Sequence, residues 1–226
     1  MDYLIVVAGG QGRRMGGEVP KQFRLLGGRP VLMHTLSRLR RCRPSARLIL
    51  VLPADHLDDW RQLCDRYDYS LPHEIAVGGE TRFASVASGL RLIPDDAVGA
   101  VGVHDGVRPF VTPELVSRLF DQVAEKRALI PAVTPVETVR LRKADGSTRL
   151  YPRDDCYLVQ TPQVFDLQLL KRAYRQPYCE RFTDDASVVE QMGQPIHLVE
   201  GSRDNIKLTT PRDMELAEVL LRRYGD

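Results

Sequence analysis

Apolar and polar positions along this chain switch between two periods. Leu4 to Ala8 is a short unbroken apolar run, which suits a parallel strand buried on both faces, so residues 3–8 are read as the first strand. Pro30 opens a helix at its first turn, and Val31, Leu32, Leu36 and Leu39 follow at helical spacing. Leu48 to Leu52 reads as a strand, and Leu57 to Tyr67 as a helix turning Trp60, Leu63 and Cys64 towards the core. A short strand at 74–77 precedes a helix from Thr81 to Ile93, with Phe83, Val86, Leu90 and Ile93 at helical spacing. Val98 to Val103 reads as a strand ending at "HDG", Pro113 to Lys126 as a helix, and Leu129 to Val133 as a strand. This alternation predicts an α/β fold with an open, mostly parallel sheet flanked by helices.

The rhythm breaks between about 135 and 158, where polar and apolar residues alternate around Asp145-Gly146. Asp-Gly between alternating runs is a hairpin signal, and a β-arm projecting from the sheet is expected. Such an arm has little core of its own, and a second copy of the chain is its simplest partner. Beyond it come a helix from Leu167 to Tyr174, a helix after Asp184, a strand from Ile196 to Val199 and a last helix capped by Thr210-Pro211. The sequence contains no repeat, low-complexity tract or linker, so residues 1–226 are read as one domain carrying a dimerising arm.

Composition narrows the function classes. A net charge of +2 is too small to mark a nucleic-acid binder, and no apolar stretch approaches the roughly 18 residues of a membrane helix. Cys42, Cys64, Cys156 and Cys179 lie far apart without a CxxC pair, which favours reduced thiols in a cytoplasmic protein. No acidic residue lies between Glu18 and Asp55, yet Arg38, Arg40, Arg41, Arg43 and Arg47 do. Arg38, Arg40, Arg41 and Arg43 interrupt a helical pattern and are read as a solvated helix face rather than a nucleic-acid patch.

The candidate chemistry starts at "VAGGQGRRMGGEVPKQF", residues 7–23. A dinucleotide fingerprint needs a third glycine and an acid roughly 20 residues on, and both are missing. A P-loop needs GxxxxGK[ST], but Gly17 is followed by Glu18-Val19. Two readings remain. One is a phosphate cradle, in which glycine N–H groups approach a polyanion beside Arg14 and Lys21; the other is a tight turn with solvated arginines.

"AGGQGRRMGGEVPKQF" resembles the signature loop of sugar-phosphate nucleotidyltransferases, and its tail resembles the 2-C-methyl-D-erythritol 4-phosphate cytidylyltransferases of the non-mevalonate isoprenoid pathway. "VGGETRFASVASGL", "VHDGVRPF", "VETV", "VQTPQVF", "FTDDAS" and "RDNIKLTTPRDM" follow in order, so the resemblance spans nearly the whole chain. It implies a Rossmann-like nucleotidyltransferase sheet that joins CTP to a polyol phosphate and releases pyrophosphate. A phosphate monoester already carries close to two negative charges, so this chemistry needs cations and N–H donors rather than a general base.

The resemblance further implies that Arg14 and Lys21 contact the CTP phosphates, with Ala8, Gly9, Gly10 and Gly12 wrapping the nucleotide. Gly79, Glu80 and Ser85 correspond to the segment that holds cytosine and ribose, although Glu80 stands where aspartate is common and Gly9 where alanine is. Arg82 is read as bridging loops. Asp105 would meet Mg2+ through water or else the substrate hydroxyls, with Gly106 beside the nucleotide and Arg108 either contacting substrate or fixing the turn before Pro109. His104 is read as structural. Thr138, Arg153, Val159, Thr161 and Thr183 correspond to the polyol-phosphate site, part of which is supplied across the dimer. Lys207 would orient the incoming phosphate, and Asp204 either assists the metal, pairs with Lys207 or caps a loop. Ribitol 5-phosphate is the alternative substrate, and a CTP-binding regulatory protein the non-enzymatic alternative.

Overall fold

In a computed structural model that describes residues 1–9 and 19–225, the first apolar run forms β1 (Tyr3–Val7). A 3-10 turn at Lys21–Phe23 leads into a small hairpin, β2 (Leu25–Leu26) with β3 (Arg29–Pro30), which the periodicity had not revealed. Then follow α1 (Val31–Cys42), β4 (Arg47–Leu52), α2 (Leu57–Arg66), β5 (Glu74–Val77) and α3 (Arg82–Arg91). The next strand, β6 (Ala100–Asp105), starts later than expected and runs through Asp105. His104 and Asp105 extend it because they pair in register with Val6 and Val7. After α4 (Pro113–Lys126) and β7 (Ala128–Val133) comes the arm, a hairpin of β8 (Val139–Arg142) and β9 (Thr148–Tyr151). Gly146 has a φ of 84° in its turn, where a side chain would be strained.

β10 (Leu158–Val159) and β11 (Gln163–Asp166) bring the chain back to the sheet. Then come α5 (Leu167–Ala173), α6 (Asp185–Glu190), β12 (His197–Glu200) and α7 (Pro211–Tyr224). Thr210 caps α7 with Pro211 in its first turn, as the sequence predicted, and Asp213 completes a capping box.

The strand order is β7-β11-β6-β1-β4-β5, with β10 and β12 also paired to β7. The pairs β1–β4, β1–β6 and β4–β5 are parallel, whereas β11 runs antiparallel between β6 and β7. Successive residues of β1 serve opposite faces. Leu4 and Val6 pack with α1 and α4, and Tyr3 and Ile5 pack with Val86 and Leu90 of α3 and Leu169 and Leu170 of α5. Burial on both faces explains the unbroken apolar run. A third cluster joins Leu26, Val107 and Leu208 to Ala217 and Leu220 of α7.

The basic segment corrects the sequence reading. Arg40 donates to the carbonyls of Pro44, Ala46 and Pro72, Arg43 forks onto Asp2, and Arg47 pairs with Glu74. With Arg38, which donates to the Gly225 carbonyl, Arg40 and Arg43 staple α1 to other segments where the sequence suggested a solvated face, while Arg41 is exposed as expected. Pro44 and Ala46 lie just past the helix, but Pro72, Asp2 and Glu74 are remote in the chain and absent from the helical pattern. Among the described residues, no helix is long and apolar enough to cross a membrane.

Phe165 is wholly buried on β11, at the centre of the sheet. Phe165→Ala is expected to cost about 3–5 kcal/mol of stability in urea unfolding, because the cavity adds to the lost apolar transfer.

Candidate active site

Parallel pairing places the carboxyl ends of β1, β4, β5 and β6 on one edge of the sheet. Hydrogen bonds continue the ladder past those ends. The N–H groups of Ala8, Gly78 and Gly106 donate to the carbonyls of Val51, Leu52 and Val7 at 3.0, 2.7 and 2.9 Å. A cavity of about 200 Å³ opens at this edge. Ala8 and Gly9 line it after β1, with Lys21 and Gln22 from the 3-10 turn. Glu80, Thr81, Arg82 and Ser85 line it at the start of α3, and Asp105, Val107 and Lys207 complete the wall.

Asp105 organises the floor. Its Oδ2 lies 3.0 Å from Lys207 Nζ and 3.1 Å from Arg108 Nε. Burial would push its carboxyl up, but the charges of Lys207, Arg82 and Arg108 outweigh burial and hold it well below the usual carboxylate range. Arg82 is likewise opposed by burial, yet its ion pair with Asp185 at 2.6 Å keeps its pKa above the ordinary value. Tyr174 donates to the other oxygen of Asp185 at 2.6 Å.

Beneath Asp105 a hydrogen-bond relay fixes the backbone. His104 Nε2 lies 3.0 Å from the Arg108 carbonyl, which can only accept, so this nitrogen carries the proton. Nδ1 therefore accepts from the Thr161 hydroxyl at 3.1 Å, and the same hydroxyl oxygen accepts from the Asp105 N–H at 3.0 Å. Arg108 Nη1 donates to the Asn205 carbonyl at 2.7 Å, and the Asn205 amide donates to the Thr161 carbonyl at 2.8 Å. The Leu208 N–H donates to the Val107 carbonyl, tying the segment that carries Lys207 to the end of β6.

Of the residues singled out in the sequence, the cavity gathers Ala8, Gly9, Lys21, Glu80, Ser85, Asp105 and Lys207. Gly79 adjoins it, its N–H donating to Ser85 Oγ at 3.2 Å. Gly106 sits close behind, where an added Cβ would come within 2.9 Å of Ala8 Cβ. Arg108 and Thr161 are buried in the supporting network. Thr138, Val159 and Thr183 are exposed and line no part of the cavity, and Arg153 donates to the Val136 carbonyl at the base of the arm. The Asp204 carboxylate accepts from Tyr224 at 2.6 Å and pairs with Arg223, both of α7. Gly10, Gly12 and Arg14 lie outside the described residues. Sequence reasoning missed Gln22 as a lining residue. It stands directly after Lys21 in a stretch read for its glycines and its cations.

Among the described residues, no three His, Cys, Asp or Glu side chains cluster as a metal cage. Asp105, an ionised carboxylate on the wall, fits Mg2+ of the kind held mainly by substrate phosphates and water. Asp204 fits less well, since it does not line the cavity and its carboxylate is turned to Tyr224 and Arg223 of α7.

His104 is held down to about 4 from 6.5 by burial. The unfolded chain takes up this proton below about pH 6.5 and the folded chain only near pH 4, so stability falls as pH falls through that window. His104→Asn is expected to remove an acid-dependent loss on the order of 3 kcal/mol, read from paired urea titrations between those pH values.

The sequence profile of the IspD family, 2-C-methyl-D-erythritol 4-phosphate cytidylyltransferase, matches residues 3–223. The chain is 53% identical over 217 residues to the Bacteroides fragilis protein named 2-C-methyl-D-erythritol 4-phosphate cytidylyltransferase, covering 96% of this chain and 98% of that one. It is 38% identical to the Halalkalibacterium halodurans protein of the same name, over 98% of this chain and 97% of that one. Among solved structures, 4-diphosphocytidyl-2C-methyl-D-erythritol synthase from Anaerococcus prevotii aligns with a TM-score of 0.82 at 28% identity, covering 98% of this chain and 96% of that one. The 2-C-methyl-D-erythritol 4-phosphate cytidylyltransferase from Thermus thermophilus aligns at 0.74 and 31% identity, covering 98% and 100%.

Proposed function

This chain belongs to the 2-C-methyl-D-erythritol 4-phosphate cytidylyltransferase family, and from that premise we propose that it transfers a cytidylyl group from CTP to 2-C-methyl-D-erythritol 4-phosphate, in the cytoplasm, as an arm-linked homodimer. The observation that carries the reading is the cavity itself, which brings Lys21, Arg82 and Lys207 together at the carboxyl edge of a parallel sheet.

The reaction is an in-line displacement. A phosphate oxygen of the polyol phosphate forms a bond to the α-phosphorus of CTP, and the bond from that phosphorus to the bridging oxygen breaks, so pyrophosphate leaves with the electron pair. The nucleophile is already an anion, and the protein's tasks are to bring anions together and offset charge on the attacked phosphate. Lys21 supplies a cation to the triphosphate, together with Arg14. Lys207 is fixed by Asp105 at 3.0 Å, with its ammonium on the cavity wall to orient the incoming phosphate. Glu80, Ser85 and Gly79 hold the nucleoside end. Mg2+, when bound, neutralises triphosphate charge, and Asp105 is the carboxylate that would hold it, through water.

The polyol-phosphate residues support a two-chain site. Thr138 and Arg153 sit at the arm, outside the cavity of their own chain. The arm also exposes apolar surface at Val136, Leu150, Tyr157 and Leu158, which a second copy would cover.

Lys21→Ala and Lys207→Ala are each expected to lower kcat by at least about 100-fold, the scale of losing one transition-state charge stabiliser; near-normal pyrophosphate release would refute their roles. With CTP, 2-C-methyl-D-erythritol 4-phosphate should outperform ribitol 5-phosphate, and the reverse order would overturn the substrate assignment. Leu150→Asp should yield monomers in sedimentation and impair use of the polyol phosphate more than CTP binding; an unchanged dimer would remove the arm from the interface.

A further inference from the structure

Gln22 is wholly buried in the wall of the nucleotide cavity, and neither Nε2 nor Oε1 of its side chain has a hydrogen-bond partner among the described residues. A buried amide with both ends unmet is destabilising, and native proteins keep very few such groups. An apolar side chain of the same length would fill the space without that penalty. Phe23, its neighbour in the 3-10 turn, does so by packing against Trp60.

We propose that Gln22 is a nucleotide-binding residue whose amide is satisfied by the bound nucleotide, Nε2 donating to a phosphate oxygen beside Lys21. This rests on the reading of the cavity as a CTP site. The chemistry suits the position. Lys21 offers charge on a flexible stem, whereas a carboxamide set in the wall offers a donor of fixed direction. A neutral donor also adds no repulsion to Arg82 and Lys207 on the same wall. Asn205, also fully buried with an unmet Oδ1, differs: its amide nitrogen holds the Thr161 carbonyl and it does not line the cavity.

The test compares wild type with Gln22→Met, which keeps length and removes both polar ends, and Gln22→Glu, which keeps shape and replaces the donor with a negative charge. Each protein is titrated with CTP by calorimetry, and its Tm is measured without ligand. The expected result is that Gln22→Met keeps or raises the ligand-free Tm while weakening CTP about tenfold, the value of a hydrogen bond to a charged group. Gln22→Glu should weaken CTP further. CTP affinity in Gln22→Met equal to wild type, or a ligand-free Tm well below it, would overturn the proposal, the latter because the amide then has a structural partner. Unchanged CTP affinity in Gln22→Glu would overturn it too. Wild type that binds CTP but releases no pyrophosphate would sink the enzymatic reading and leave the assignment of Gln22 standing.

Discussion

A single ionised carboxylate holds together parts of the chain that are otherwise far apart. Asp105 ends the central strand β6, takes Lys207 from the C-terminal segment and Arg108 from its own turn, and receives Thr161 at its backbone N–H. Burying a carboxylate is costly unless it is paired and hydrogen-bonded. Here burial is tolerated because three cations surround it. The pairing works in both directions. Asp105 keeps the ammonium of Lys207 at the cavity wall, and the cations keep Asp105 charged. Without the carboxylate, the cations of the wall would repel one another in a partly desolvated space.

The architecture around it follows from the parallel sheet. Strands β1, β4, β5 and β6 deliver their following loops to one edge, and the ladder continues into Ala8, Gly78 and Gly106. Backbone hydrogen bonds hold those loops in place at the cavity. At Gly106 the two loops come so close that a methyl group would collide with Ala8. The helix α7 closes the assembly from behind. It packs on Leu26 after the turn of Lys21 and Gln22, and on Leu208 beside Lys207, and so fixes the two lysine-bearing segments against one apolar surface.

Two buried polar groups play opposite parts in this arrangement. His104 is fully satisfied, neutral, and braces Thr161 against the Arg108 carbonyl, in keeping with its reading as a structural residue. Gln22 is fully buried and unsatisfied among the described residues. The first braces the network beneath Asp105, and the second is the group assigned above to the bound nucleotide.

The sequence by itself determined the α/β class, most element positions and the arm, because apolar period, caps and turn residues are local signals. Leu4 to Ala8, Thr210-Pro211 and Asp145-Gly146 each announce their element within a few residues. Family likeness across seven stretches also pointed to Lys21, Asp105 and Lys207. The tertiary structure decided what depends on remote partners. It placed β11 antiparallel in the middle of the sheet, although "QVFD" carries no strong strand signal, since β6 and β7 supply its hydrogen bonds. It turned Arg38, Arg40 and Arg43 from a solvated face into staples, because partners such as Gly225, Pro72 and Asp2 lie dozens of residues away or more, whereas Arg41 stays exposed. It also showed Gln22 on the cavity wall and Thr161 beneath it, a distinction of burial that no local pattern encodes.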